Sequence, residues 1–303
     1  MSGSGFEVRS GTESGLRLLS VAGHGVTCSI AHRGATVLGW RHGDDEILDG
    51  YRNPEELQGQ DGVRNAVMAP FAGRVRDAAY TWHGEAHDLR PGDADREIFH
   101  GFLREQFFEA LAVRHLERSV IVHLRALTGP STRPGYPFPL QVDVHFEVRP
   151  DGLSLTLSAT NVGTSTAPVS LGWHPYLRLP SAPTIDGVRL RLPGRDAEAI
   201  GGTQFDTCFD TSPFQDGRPP ERIESVLSGP RGEELTVWQD AGAVYVYTGD
   251  RLARDRRASI AIQPISHPPF SFNDAAAAES LALRPGAARS FHCGFDYRPA
   301  DRR

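Results

Sequence analysis

Four positions carry side chains that could move protons among hydroxyl groups. His174 stands in Gly172-Trp173-His174-Pro175-Tyr176-Leu177, at the exit of a strand-like run over residues 167–171, between a large aromatic and a proline that fixes the following backbone. A titratable imidazole in that frame suits proton transfer near neutral pH. His100 precedes Gly101, Asp206 lies in Phe205-Asp206-Thr207-Cys208-Phe209-Asp210, and Arg74 follows Gly73 on the edge of a hairpin. Two imidazoles, a carboxylate and a guanidinium form a set that can hold hydroxyls while protons move. Each also has a plain structural use: His174 as a half-buried strand-end histidine, Asp206 as a turn cap, Arg74 as a partner of Glu97, His100 as a turn residue.

The elements that would position them are strands. Residues 16–21, 25–31, 35–40 and 46–48 read as short strands with glycine turns, and Val26, Cys28 and Ile30 alternate as on a sheet with one dry face. Residues 51–65 read as a loop, with one helical turn after Asn53, and residues 68–84 lead from a loop into a hairpin. The strongest signal is the run Leu140, Val142, Val144, Phe146, Val148, followed after Pro150-Asp151-Gly152 by Leu153, Leu155, Leu157 and Ala159. Two alternating runs joined at Asp-Gly predict a hairpin. Further strands are expected at residues 119–127, 168–172, 188–192, 234–238, 243–248, 259–263 and 290–295, with almost no 3.6-period segment. That spacing predicts an all-β fold, a large antiparallel β-sandwich forming a single domain over residues 1–303. The Pro/Gly-rich residues 213–220 read as a loop within it, and residues 251–257, with four arginines, as a charged surface turn.

Composition narrows the chemistry further. All 32 basic residues are arginine, which excludes a lysine Schiff base and the lysine-containing phosphate loop of nucleotide hydrolases. The net charge of −6 is modest and mixed, so neither nucleic acid nor a membrane surface is an expected partner. Cys28, Cys208 and Cys293 lack metal-type spacing, and reduced thiols fit a cytoplasmic protein. No leader-like pattern or apolar run of ~20 residues is seen, so secretion and membrane insertion are not expected. Twelve histidines require a metal site to be weighed; His83 and His87 would face one ligand pair on a helix, but Gly84 and the flanking strand pattern oppose one. No Gly-x-Ser-x-Gly elbow occurs.

Taken in order, the motifs resemble the aldose 1-epimerase (galactose mutarotase) family over most of the chain. They are Gly73-Arg74-Val75, where the family often has asparagine before the arginine, then His100-Gly101, His174-Pro175-Tyr176-Leu177 and Asp206-x-x-Phe209. A proline-rich segment then leads to Phe272-Asn273 and Leu283-Arg284-Pro285-Gly286. The resemblance implies a supersandwich of the galactose mutarotase type with a cleft for a free sugar or sugar-like molecule, acting without a cofactor, as a monomer or homodimer. In the family's reaction a carboxylate takes the anomeric proton, a histidine protonates the ring oxygen, and the opened chain recloses on either face. By resemblance His174 is the general acid and His100 polarises the ring oxygen, while Arg74, Asp206, Trp173 and Tyr176 contact substrate.

The family's catalytic glutamate comes at the end of a late strand, just before a proline. Here that place is held by Gln263, in Ser259-Ile260-Ala261-Ile262-Gln263-Pro264. Alternation puts Gln263 opposite Ile260 and Ile262, so it is expected to point into the cleft. An amide has no useful basicity, and losing a general base costs ~10² to 10⁴-fold in rate. The sequence leaves open a sugar binder without rapid turnover, a reaction whose base is Asp206, His267 or Asp274, and a substitution made to trap a ligand.

Overall fold

The hairpin with the clearest alternation forms the middle of one sheet. In the computed structural model, which describes residues 5–13, 15–133, 135–211 and 222–300, strands Leu140–Arg149 and Gly152–Asn161 pair along their full lengths. Arg149 lies across from Gly152, closing the turn at Pro150 and Asp151. Val142, Val144, Phe146, Leu153, Leu155 and Leu157 turn inward and are buried, each contributing about 1.5–3 kcal/mol of burial where the side chain is large. Around this hairpin runs a nine-stranded antiparallel sheet: Glu109–His115, Val120–Thr128, Leu140–Arg149, Gly152–Asn161, Ala288–Arg298, Glu234–Gln239, Ile223–Ser228, Arg189–Arg191 and Glu198–Ala199.

The second sheet carries the candidate residues. Its path runs Glu7–Glu13, Leu16–Gly23, Val26–Ala31, Thr36–His42, Asp45–Asp49, Tyr176–Leu177, Ile260–Ile265, Gly172–Trp173 and Val67–Met68, with Ala243–Tyr247 pairing Ile260–Ile265 and Asp206–Asp210 beyond it. Both sheets share one hydrophobic core. Trp40 meets Phe295 edge-on at 5.2 Å between ring centroids, and Trp173 lies nearly parallel to Phe295 at 6.3 Å, so one phenylalanine of the first sheet is gripped by two indoles of the second. The fold is the all-β antiparallel sandwich that alternation predicts.

The outer strands escape a pattern reading. Glu7–Glu13 and Glu109–His115 are edge strands almost wholly exposed, so no dry face imposes alternation on them. The expected strand at residues 168–172 breaks into Ala167–Pro168 and Gly172–Trp173, because Ser170 turns its N–H to the Pro70 carbonyl at 2.7 Å instead of a ladder partner. The helical turn after Asn53 is present as Pro54–Gly59, capped by the Asn53 side chain, which accepts from Glu56 N–H at 2.8 Å. The loop at residues 213–220 lies outside the described residues. His83 and His87 belong to a hairpin of Ala79–Trp82 and Glu85–Asp88, turned by His83 and Gly84 at φ 50° and 86°. Among the described residues no helix is long and apolar enough to cross a membrane.

Candidate active site

Alternation on the two central strands aims the site. In Ile260–Ile265, Ile260 and Ile262 enter the core, and Gln263 turns to the other face, where it is only 1% exposed yet lines a cavity. In the neighbouring Ala243–Tyr247, Val244 and Val246 likewise enter the core and Tyr245 turns to the cavity, directly across the ladder from Gln263. Asp206–Asp210 extends this side, placing Asp206 across from Tyr247. The Tyr245 hydroxyl donates to Asp206 Oδ1 at 2.7 Å.

A short ribbon closes the opposite wall. Arg74–Val75 pairs with Ile98–Phe99, which brings Arg74 beside Phe99, its guanidinium 5.4 Å from the ring centre, and sets His100 just beyond. The His100 amide donates to the Gly73 carbonyl at 2.8 Å, and the Gly73 amide donates to His100 Nδ1 at 3.2 Å. Nδ1 is thereby an acceptor, so in the neutral ring Nε2 carries the proton. Such close approach requires Gly101: at φ 67° a Cβ there would stand 2.0 Å from the Ala69 oxygen.

His174 arrives from a segment pinned by a side chain the motifs do not include. Asn65, fully buried at φ 57°, donates from Nδ2 to the carbonyls of Val37 and Asp49, both at 3.0 Å, and accepts the Tyr176 amide at Oδ1, 2.8 Å away. Its main chain takes the Trp173 indole N–H at 3.1 Å and donates to the His174 carbonyl at 2.9 Å. The His174 ring stacks on Tyr176 at 5.2 Å and meets His100 edge-on at 4.8 Å. Beneath Tyr176, at 5.1 Å, lies the buried guanidinium of Arg64, which donates to Asp49 at 2.5 Å.

These neighbours hold both imidazoles uncharged. Burial pulls His174 down to about 3, opposed by its own backbone carbonyl dipole and reinforced by the Arg64 and Arg104 cations. Burial likewise takes His100 well below its usual range, with His174, Arg104 and Arg74 adding. Burial and the Asp206 carboxylate keep the Tyr245 phenol protonated by raising its pKa. Among the described residues three polar groups of the cavity lining lack a protein partner: His174 Nδ1, the Tyr176 hydroxyl and Gln263 Oε1. In a cavity of about 190 Å³, small beside the ~300–1,000 Å³ of pockets for larger ligands, such groups are what a hydroxyl-rich small molecule could satisfy.

Arg74, His100, His174, Tyr176, Asp206 and Gln263 therefore line one cavity. Trp173 does not. Alternation turns it away from its neighbour His174 into the core, fully buried between the sheets, so its assignment to substrate contact is corrected to a packing role. Arg74 keeps the alternative use foreseen for it as well, pairing with Glu97. The turn at residues 251–257 is only partly a surface feature: Arg251 lines the cavity, while Arg254 and Arg257 are tied into ion pairs with Asp49, Glu56, Asp186 and Asp250. Tyr245 and Tyr247 also line the cavity and were missed from the sequence, where the Val-Tyr-Val-Tyr alternation could have found them; Asn65, Arg64 and Gln60 carried no comparable signal. Among the described residues no group of three metal-ligating side chains comes together.

Fold and cavity define a large antiparallel β-sandwich with a small cavity walled by aromatic rings, imidazoles, guanidinium groups, a carboxylate and an amide. The chain belongs to the aldose 1-epimerase family, whose sequence model matches residues 17–296. The protein YihR of Escherichia coli (strain K12), itself uncharacterized, is 25% identical over 235 residues, covering 68% of this chain and 71% of YihR. The solved structure of galactose 1-epimerase from Lactobacillus acidophilus NCFM superposes with a TM-score of 0.76 at 15% identity, covering 98% of this chain and 99% of that one. A GalM/aldose epimerase homologue from C. elegans gives 0.70 at 15% identity, covering 92% and 97%. At such identities these structures establish the shared fold.

Proposed function

We propose that this protein is an isomerase that interconverts the anomers of a free sugar by opening and reclosing its hemiacetal ring. The observation that carries this reading is the convergence of Arg74, His100, His174, Asp206 and Gln263, from five separate stretches of chain, on one sugar-sized cavity. In this reading the ring oxygen faces the two imidazoles. His100 presents its Nε2–H to polarise it, and His174 supplies the proton as the C1–O5 bond breaks. Because burial keeps His174 uncharged, it is a weak acid, and its proton moves only as another group withdraws the anomeric hydroxyl proton. Arg74 and Tyr176 hold the remaining hydroxyls and ring face. Rotation of the aldehyde and reversal of the transfers gives the other anomer, with no net change in protons and no cofactor required.

Gln263 favours a second reading, a carbohydrate-binding protein on the same scaffold, since an amide can hold the anomeric hydroxyl but cannot take its proton. Exchange between anomers of glucose and galactose, followed by saturation-transfer NMR in the native protein and in Gln263→Glu, separates the two. The isomerase reading expects exchange in the native protein and a further gain in the variant. Exchange in the glutamate variant alone supports the binder. Exchange in neither, with sugar binding retained, would point to another ring-opening or lyase step on a related hemiacetal.

A further inference from the structure

The anomeric proton has to leave the sugar for some group in the cavity, and that group is not Gln263. Of the three bases weighed from the sequence, His267 and Asp274 are placed elsewhere. His267 sits outside this cavity beside Ser266, whose hydroxyl lies 2.9 Å from its Nδ1. Asp274 accepts the Ala276 amide at 2.9 Å at the start of a distant helical turn. Glu97 pairs with Arg74 and does not line the cavity. Asp250 is engaged by the Thr248 hydroxyl and the Arg257 guanidinium. His100 has its Nδ1 occupied by the Gly73 amide, so the nitrogen left to it is a donor. Among the described residues lining the cavity, Asp206 is the one carboxylate.

Its position relative to Gln263 is set by adjacent strands. Tyr245 faces Gln263 across the ladder, where opposed Cβ atoms stand ~4.5–5.5 Å apart. From there its phenol reaches over to donate to Asp206 Oδ1 at 2.7 Å. The hydroxyl thus holds the carboxylate, which stands one strand beyond Tyr245, at the cavity that Gln263 also lines, and among the described residues Oδ2 takes no hydrogen bond. We infer that Asp206 is the general base of this protein, and that Tyr245 is the positioning residue that holds its carboxylate at the cavity Gln263 lines. The inference rests on the isomerase reading above. In the step, Asp206 takes the O1 proton and becomes a carboxylic acid. The O1 lone pair forms the C1=O bond as C1–O5 breaks, and O5 takes a proton from His174. Ring closure returns both protons to their sources. Gln263 is left to hold O1 by hydrogen bonding, and Tyr245 stays protonated throughout.

The test is a base exchange between the two positions, with kcat and KM for anomer exchange read by NMR and folding and sugar binding checked by circular dichroism and calorimetry. Asp206→Asn keeps an oxygen acceptor and the side-chain size, and should lower kcat by ~10² to 10⁴-fold while KM moves only a few-fold. Tyr245→Phe should lower kcat by roughly ten- to a hundredfold, the worth of one hydrogen bond to a charged group. Adding Gln263→Glu to Asp206→Asn should restore most of the lost kcat, which a purely structural or hydroxyl-holding aspartate would not allow. An Asp206→Asn protein with native kcat and only a raised KM would overturn the inference and leave the isomerase reading standing. So would a folded, sugar-binding double variant that stays inactive while Gln263→Glu alone is active. A native protein with no exchange on any aldose would remove both.

Discussion

Asn65→Ala tests how the site is held. The side chain makes three buried hydrogen bonds, to the carbonyls of Val37 and Asp49 and from the amide of Tyr176. Removing it leaves the Tyr176 N–H bare, at about 1–3 kcal/mol, and weakens two carbonyls by about 1 kcal/mol each. Asn65 also sits at φ 57°, a conformation asparagine accepts more readily than alanine, adding about 1 kcal/mol. The sum is about 4–6 kcal/mol, a large share of the 5–15 kcal/mol that keeps a typical protein folded. Urea unfolding should show the midpoint falling with an unchanged slope. Asn65→Gly relieves the backbone while keeping the hydrogen-bond loss, so it should recover only the last ~1 kcal/mol. Because the same segment carries His174 and Tyr176, kcat for anomer exchange should fall more than KM rises. A loss below ~1 kcal/mol with unchanged kcat would refute the assignment of Asn65 as the pin of this segment.

Buried neutral histidines make a pH signature expected. His174 lies at about 3, His267 at about 4 and His100 well below 6.5, so below pH 6.5 the unfolded chain binds protons that the folded one refuses. Stability is therefore fully present above about pH 6.5 and should fall as pH drops toward 5, by up to ~1.4 kcal/mol per pH unit for each histidine; a flat profile in urea melts over that window would contradict their burial. Trp173→Phe should lower stability by roughly 1–3 kcal/mol through lost core packing and leave KM for sugar unchanged. A tenfold rise in KM at native stability would return Trp173 to the substrate. Asp49→Asn should cost about 3–5 kcal/mol by stranding the buried Arg64 guanidinium, whereas Arg64→Met should cost less because Asp49 keeps Arg254 and Ser259 as partners; equal losses in thermal melts would contradict this ordering.

Much of the site was legible one residue at a time. Period-2 alternation assigned faces to Ile260, Ile262 and Gln263, because successive side chains on a strand must point to opposite sides; the same rule applies to Val244 and Tyr245, although Tyr245 was not singled out from the sequence. The absence of lysine and the spacing of the cysteines depend on composition alone, and needed no fold. Other features are properties of pairs. That His100 and His174 touch, that Tyr245 bonds Asp206, and that Arg251 belongs to the cavity while Arg254 does not, follow from which strands and loops become neighbours over separations of tens to hundreds of residues. Trp173 shows the limit best. Its chemistry and its place beside His174 suited a sugar contact, but only the closing of the two sheets on Phe295 decided that it was core. Asn65 was silent for the complementary reason: a single asparagine carries no period, and its role exists only once three distant backbone segments have been folded around it.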